Sequence, residues 1–559
     1  MSSLASVASR EEDCSAGFCD RFVKSLRFFF STGAIAHLSS HPARHTFAMH
    51  QAFYIEELVR RIAFNADDGS SGSTSLLALA CCCKALESPV MDVLWQRQKH
   101  LHIILQTLPA DCWTISYGEY VSGDIPTIQV THFPLFQDFA RAPRTVEWQR
   151  FKGYVARIVE LVVGEHSSRR VSSEAITFFG MQSIVDPLLP RLTSLRLEHR
   201  YGWRDVPFVL AFLSPKITAL TLALPARDDV LFQPILSVTS DRCRWLQELV
   251  LDVDFLGEHP ANVVEELIIA CRDTLRTLEI RSSFKVDYFP VIANLPQLRS
   301  LRMERIQIPR DLPSGFFPSL EEFTILRFDG GPLQHFFKRI RTIGLKVVKI
   351  HTFRILPFRE SMEALSRFSA SLEVMEISGV ANIDLPSVVV PRLLFTNLTT
   401  LRVECLGSAG SAIHFGCVFR PTDKSIAELG EAMPNIVHLT LGSQTCSGIK
   451  CVTFLSLVSL SKTCQDLETL SIRVDFQSMV APSPRGSGDA ETGATFDGTQ
   501  GSACGLRKLV VGLSTLPDHP DSGWLVAIGL GKIFPSLSEV VGSEQDAWEK
   551  VGRNIRMSR

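Results

Sequence analysis

The sequence predicts an α/β fold, a small all-α helical module followed by a solenoid of stacked repeats. Three observations carry this: a phrase L-x-x-L-x-L that recurs down the chain, an irregular spacing between its copies, and amphipathic helical patterns ahead of the first full copy. The phrase reads Leu192/Leu195/Leu197, Ile217/Leu220/Leu222, Leu246/Leu249/Leu251, Leu275/Leu278/Ile280 and Leu298/Leu301/Met303. It continues through Leu320/Phe323/Ile325, Leu345/Val348/Ile350, Leu372/Met375/Ile377 and Leu398/Leu401/Val403, then Ile436/Leu439/Leu441, Leu467/Leu470/Ile472 and Leu506/Leu509/Val511. A triad recurring every roughly 22–39 residues is the mark of leucine-rich repeats. Its three apolar positions point into a core and the residues between them point outward along a strand. Stacked copies give a curved parallel sheet on the concave side, with helices and loops on the convex side. Degenerate ends stand at Ala156/Val159/Leu161 and Leu537/Val540.

Composition limits what such a surface does. Of 559 residues, 45% are hydrophobic and 21% charged, and the net charge of -2 supplies no basic field for nucleic acid or an anionic membrane. No apolar run approaches the about 20 residues of a transmembrane helix. The 14 cysteines lack paired metal-ligand spacing, so free buried thiols in a reducing compartment, cytoplasm or nucleus, are expected. No H-E-x-x-H, G-x-S-x-G or Walker loop is present. The expectation is therefore a binding protein, not an enzyme, with no catalytic, cofactor or metal site.

Residues 1–48 differ in texture from the rest and are expected to be a disordered or non-native extension. Residues 49–110 carry the helical module. Ile55, Leu58, Val59 and Ile62 form one face of a helix, with Glu56 and Glu57 in its first turn. A loop over 67–75 follows, with Ser75 placed to cap a helix bearing Leu76, Leu77, Leu79 and Leu86. Ser88-Pro89 then reads as the opening of a helix that carries Val90, Val93, Leu94 and Trp95. Residues 111–145 read as a linker and 146–559 as the repeat domain. Within the latter, 477–504 are too polar and glycine-rich to fold and read as a disordered insertion.

The string Ile55-Glu-Glu-Leu58-Val59…Ile62, then Leu76-Leu-Ala-Leu79-Ala…Cys82-Cys-Lys-Ala-Leu86, closing on Leu94-Trp95, resembles an F-box. It departs from that family at the signature proline, where Glu56 stands, and in its long Gly/Ser loop. Together with the entry segment Trp148-Gln-Arg-Phe151-Lys-Gly-Tyr154, it looks like the F-box and leucine-rich-repeat proteins expanded in mushroom-forming fungi. The resemblance implies the substrate-recognition subunit of an SCF-type, cullin-RING ubiquitin ligase. Its F-box would dock on a Skp-type adaptor, and through it a cullin, by way of Ile55, Leu58, Leu77, Leu79 and Trp95. The repeats would bind a target protein. The alternative is an interaction scaffold whose degenerate F-box has no ligase role.

Between the leucines, the outward residues fall into two columns. Glu279 should lie beside Arg302, Arg281 beside Glu304, and Glu376 between Lys349 and Arg402, so lateral ion pairs account for much of the central charge. For target binding the candidates are Lys349, His351, Arg402, Thr440, Ser471, Arg473 and Val510, with the smaller neutral residues near the C-terminus leaving most room. Helices are expected on the convex side over 262–270 and 425–433.

Overall fold

The computed structural model describes residues 56–66, 72–82, 84–99, 103–104, 106–120, 131–164, 170–171, 188–198, 212–224, 229–253, 261–281, 289–306, 315–328, 333–352, 358–379, 382–383, 395–404, 418–419, 421–442, 452–477, 504–517 and 521–558. The described residues up to Ile217 form one compact unit and those from Thr218 another. Residues 1–48, Ile55 and almost all of the glycine-rich insertion lie outside the described residues.

The first unit opens with helices α1 (Glu56–Ala66), α2 (Gly72–Cys82) and α3 (Lys84–Gln96). Val59, Ala63, Leu76, Leu79, Ala80, Leu86 and Val90 close a core among them. Two boundaries differ from expectation. Helix α2 begins three residues before Ser75, which therefore lies inside the helix, and α3 begins at Lys84, leaving Pro89 in its interior. Helix α3 then runs directly into strand β1 (Arg97–Gln98). Residues 111–145, read as a linker, are structured in large part: β2 (Trp113–Tyr120) and β3 (Thr131–Phe139) pair antiparallel. Helix α4 (Thr145–Val155), β4 (Glu160–Gly164), β5 (Arg170–Val171) and β6 (Ser194–Glu198) complete the unit. Strand β5 extends the hairpin, while β1, β4 and β6 pair in parallel, with Arg97 opposite Glu160 and Leu161 opposite Leu195.

Arg141 ties the hairpin to α4. Its guanidinium donates to both carboxylate oxygens of Asp111 at 2.9 Å and to Glu147 at 2.8 and 2.9 Å. The Glu147 carboxylate also accepts from the Arg144 backbone N–H at 2.7 Å, capping the helix start. These bonds, that of Arg141 first, hold the Glu147 carboxyl well below its usual range, at about 2.

The second unit holds the repeats from β7 onward, an α/β solenoid. It comprises β7 (Ala219–Leu224), α5 (Asp229–Arg242), β8 (Glu248–Val253), α6 (Ala261–Ala270), β9 (Thr277–Arg281), α7 (Phe289–Ala293), β10 (Ser300–Ile306) and β11 (Glu322–Phe328). Next come α8 (Leu333–Arg339), β12 (Val347–Thr352), α9 (Phe358–Leu365), β13 (Val374–Ser378), β14 (Asn382–Ile383), β15 (Thr400–Glu404), β16 (Val418–Phe419) and α10 (Asp423–Ala432). The array ends with β17 (His438–Leu441), β18 (Val452–Thr453), α11 (Phe454–Thr463), β19 (Thr469–Ile472), β20 (Val474–Asp475), β21 (Lys508–Gly512), α12 (Ser522–Ile533), β22 (Glu539–Gly542) and α13 (Gln545–Met557). The long strands pair in parallel in chain order, apart from β14 with β16 and β18 with β20, which form two small pairs of their own. Helices α6 and α10 meet the expectation for 262–270 and 425–433 to within two residues.

Parallel strands need a crossover between them, and among the described residues helices such as α5, α6, α10 and α11 lie in these crossovers. The leucine positions alternate with solvent-facing ones, as in β12, where Val348, Ile350 and Thr352 are buried and Val347, Lys349 and His351 half-exposed. Register is fixed by a recurring two-donor device. At the start of most of the long strands, two successive backbone N–H groups donate to one carbonyl of the preceding repeat. Gln247 and Glu248 donate to Thr218, Arg276 and Thr277 to Gln247, Glu321 and Glu322 to Arg299, and Arg507 and Lys508 to Glu468. This satisfies buried polar backbone that an irregular turn would leave open.

Mid-array, leucine gives way to phenylalanine. Phe289, Phe316, Phe317, Phe323, Phe336 and Phe337 are all buried, with Phe323 stacked on Phe336 at 4.7 Å and Phe316 edge-on to Phe317 at 5.3 Å. Phe317 occupies φ 52°, a region a bulky residue rarely adopts. Its N–H donates to Ala293 and its carbonyl accepts from Thr342, and these bonds with the aromatic packing over-determine the conformation. At the end of β13, Gly379 stands at φ 85°, where a Cβ would lie 1.9 Å from the Thr352 carbonyl oxygen, so only glycine fits. Helix α13 closes the array: Trp548, Val551 and Ile555 bury one face, and Trp548 lies 5.3 Å from Phe476. Solenoids need such a terminal cover.

Cysteine usage is divided. Cys112, Cys243, Cys271, Cys464 and Cys504 are buried free thiols, as expected, whereas Cys81 and Cys82 are exposed. Burial pushes the Cys271 thiol up to about 11. Cys504, assigned to the disordered insertion, instead belongs to the core, its Sγ donating to the Cys464 carbonyl at 3.3 Å. Among the described residues no helix is long and apolar enough to cross a membrane, and no group of histidines, cysteines and acids could hold a metal ion.

Candidate functional site

Two surfaces bear on binding, one in each unit. On the helical module, α2 has two faces. Leu76, Leu79 and Ala80 enter the core, while Leu77, Ala78, Cys81 and Cys82 are exposed, Leu77 by 52%. Residues one to five apart cannot all face inward on a helix of 3.6 residues per turn, so an all-apolar α2 must leave an apolar strip outside. On α1, Val59 and Ala63 are buried, Leu58 and Ile62 half-buried and Phe64 55% exposed.

The five residues assigned to adaptor contact are thus not one surface. Leu77 is available and Leu58 partly so, while Ile55 lies outside the described residues. Leu79 is only 3% exposed and is a core residue. Trp95 is 8% exposed and packs against Tyr154 at 5.2 Å, because the end of α3 turns into β1 and meets α4. Leu79 and Trp95 are therefore corrections. Conversely, Phe64, Cys81 and Cys82 join the exposed strip. Phe64 could have been found from its place outside the stripe formed by Leu58, Val59, Ile62 and Ala63.

In the second unit the strand register joins the outward residues into one row. Thr221, Val250, Glu279, Arg302, Thr324, Lys349, Glu376, Arg402, Thr440, Ser471 and Val510 are successive neighbours. A second row brings His351, Ser378 and Glu404 together. Charge within these rows is largely used internally. Glu279 pairs with Arg302 at 3.2 Å and Lys349 with Glu376 at 3.1 Å, as the alternation predicts. Two partners differ: Arg281 turns to Glu279 at 2.8 Å and Asp252 at 3.6 Å, leaving Glu304 to Arg327 at 3.6 Å. Arg402 likewise takes Glu404 at 2.8 Å. Positions two apart on one strand share a face, so a long arginine reaches its own neighbour as easily as the next strand.

The target-binding candidates divide accordingly. Lys349 and Arg402 are held in ion pairs, each worth roughly 0.2–1 kcal/mol at such exposure. His351 hydrogen-bonds through Nδ1 to Ser378 Oγ, and burial lowers its pKa, favouring the neutral ring. Ser378 is itself buried, so the pair offers no accessible nucleophile. Thr440 and Ser471 are half-exposed neighbours in the row. Val510 shares the row but is 7% exposed, so it is a correction as an open-face contact. Arg473 falls just beyond the end of β19, half-exposed with its Nε buried.

No family model and no curated protein matches the chain. Among solved structures, an internalin from Listeria monocytogenes is similar at 16% identity over 51% of this chain and 75% of that one, with a TM-score of 0.30. The complex of Rad7 and Elc1 in yeast is similar at 11% identity over 91% of this chain and 96% of that one, with a TM-score of 0.36.

Proposed function

We propose that this chain is the substrate-recognition subunit of an SCF-type ubiquitin ligase acting in the cytoplasm or nucleus. The helical module docks on a Skp-type adaptor, and through it a cullin, and the open face of the repeats receives the target protein. The chain performs no chemistry of its own; it supplies proximity and orientation, while bond-making belongs to its partners. One observation carries the reading: α2 keeps Leu77 and its neighbours outside a core that is already closed without them. An exposed apolar strip on a small module marks an interaction site.

The test is co-purification of the full chain with a Skp-type adaptor, repeated with Leu77→Asp. The parent chain should form a stable complex, and the variant should lose it with unchanged thermal unfolding. Failure of the parent to bind points to the second reading, an interaction scaffold with a degenerate F-box. The inward placement of Leu79 and Trp95 favours that alternative.

A further inference from the structure

Within the first unit, α1, the second half of α3 and the segment after α4 line a pocket of about 340 Å3. Four arginines reach it: Arg60 and Arg61 from α1, Arg157, and Arg191. The one acid of α3 in the lining, Asp92, is neutralised twice, by Arg60 at 2.7 Å and Arg157 at 2.8 Å, and Arg60 also reaches Glu56 at 2.6 Å. The side chains of Arg61 and Arg191 are exposed and form no ion pair or hydrogen bond with another described residue. With Glu57 as the other acid of the lining, the pocket keeps an excess of two positive charges. Its apolar lining comes from Phe64, Val93 and Val159.

The walls are fixed to one another. The Val159 N–H donates to the Gln96 carbonyl at 2.9 Å, and one residue further Arg97 pairs with Glu160 across β1 and β4. A site that does not reorganise on binding avoids an ordering cost. Guanidinium groups present a planar fork that matches carboxylates. The free arginines stand on separate segments and Phe64 lines the same pocket, which suits an extended chain better than a point anion. Two surplus charges are too few for the clustered field that nucleic acid requires.

We propose that this pocket is a docking site for an acidic peptide segment of a partner protein, its carboxylates on Arg61 and Arg191 and an apolar side chain against Phe64. The site is separate from the Leu77 strip and goes beyond the adaptor reading, since it needs only this chain. The probe is a fluorescently labelled peptide of alternating glutamate and phenylalanine, titrated against the full-length protein and read by anisotropy. The parent should bind, more weakly as ionic strength rises. The double variant Arg61→Glu, Arg191→Glu should weaken binding about tenfold or more. Both arginines are exposed and unpaired among the described residues, so the fold should survive, checked by circular dichroism. Arg553→Glu with Arg556→Glu, exposed on α13, makes the same change in net charge elsewhere and should bind like the parent. Absence of binding by the parent, equal affinity in the Arg61/Arg191 variant, or equal loss in the α13 control would each overturn the proposal.

Discussion

At the residue scale, the Arg141–Glu147 pair makes the clearest statement about pH. The carboxyl of Glu147 lies near 2 in the folded chain against a usual 4.5. A depressed carboxylate stabilises the fold fully above its unfolded value and loses that contribution as pH falls through the folded one. Glu147→Gln should therefore lower stability at neutral pH and flatten its decline between about 4.5 and 2, read as melting temperature against pH. None of this was legible from the letters: Asp111, Arg141 and Glu147 are ordinary surface types, and only the hairpin brings them together. The inward leucines were legible one by one, because their neighbours are the same phrase in the next copy. Trp95 and Val510 were not. Whether an apolar residue at an element's end faces in depends on what packs there, and for Trp95 that is α4, some fifty residues later in the chain.

At the element scale, the phrase specified strands and their order well, and periodicity placed two convex helices closely, while other elements escaped it, among them the hairpin and α13. The hairpin of β2 and β3 falls in the stretch expected to be linker, although Trp113, Ile115 and Tyr117 alternate with Thr114 and Ser116. Helix α13 carries no leucine phrase, and its signal was the spacing of Trp548, Val551 and Ile555. The phenylalanine cluster shows what the array stands on mid-way. Phe336 contacts the rings of Phe289, Phe316, Phe317, Phe323 and Phe337, so it joins successive repeats. Phe336→Ala should cost about 3–5 kcal/mol in chemical denaturation, because the rigid neighbours cannot collapse into the space. In a nearest-neighbour array the loss should also broaden the transition, as the halves on either side uncouple.

At the scale of the whole molecule, the repeat row explains how a charged surface can be quiet: its central ions answer one another, and the half-exposed Thr440 and Ser471 remain. The junction of α3 with β1 has a different reach. Strand β1 is two residues long and pairs with Glu160 and Leu161 at the start of β4, and an open strand edge is a template for pairing with another chain. Removing residues 56–98 should give a protein that self-associates, seen as rising light scattering at concentrations where the full chain stays monodisperse. On that outcome the helical module would serve solubility independently of any docking. A lineage without the proposed adaptor contact would still keep these helices, eroding Leu77 and its strip first while Trp95 and Leu79 stayed.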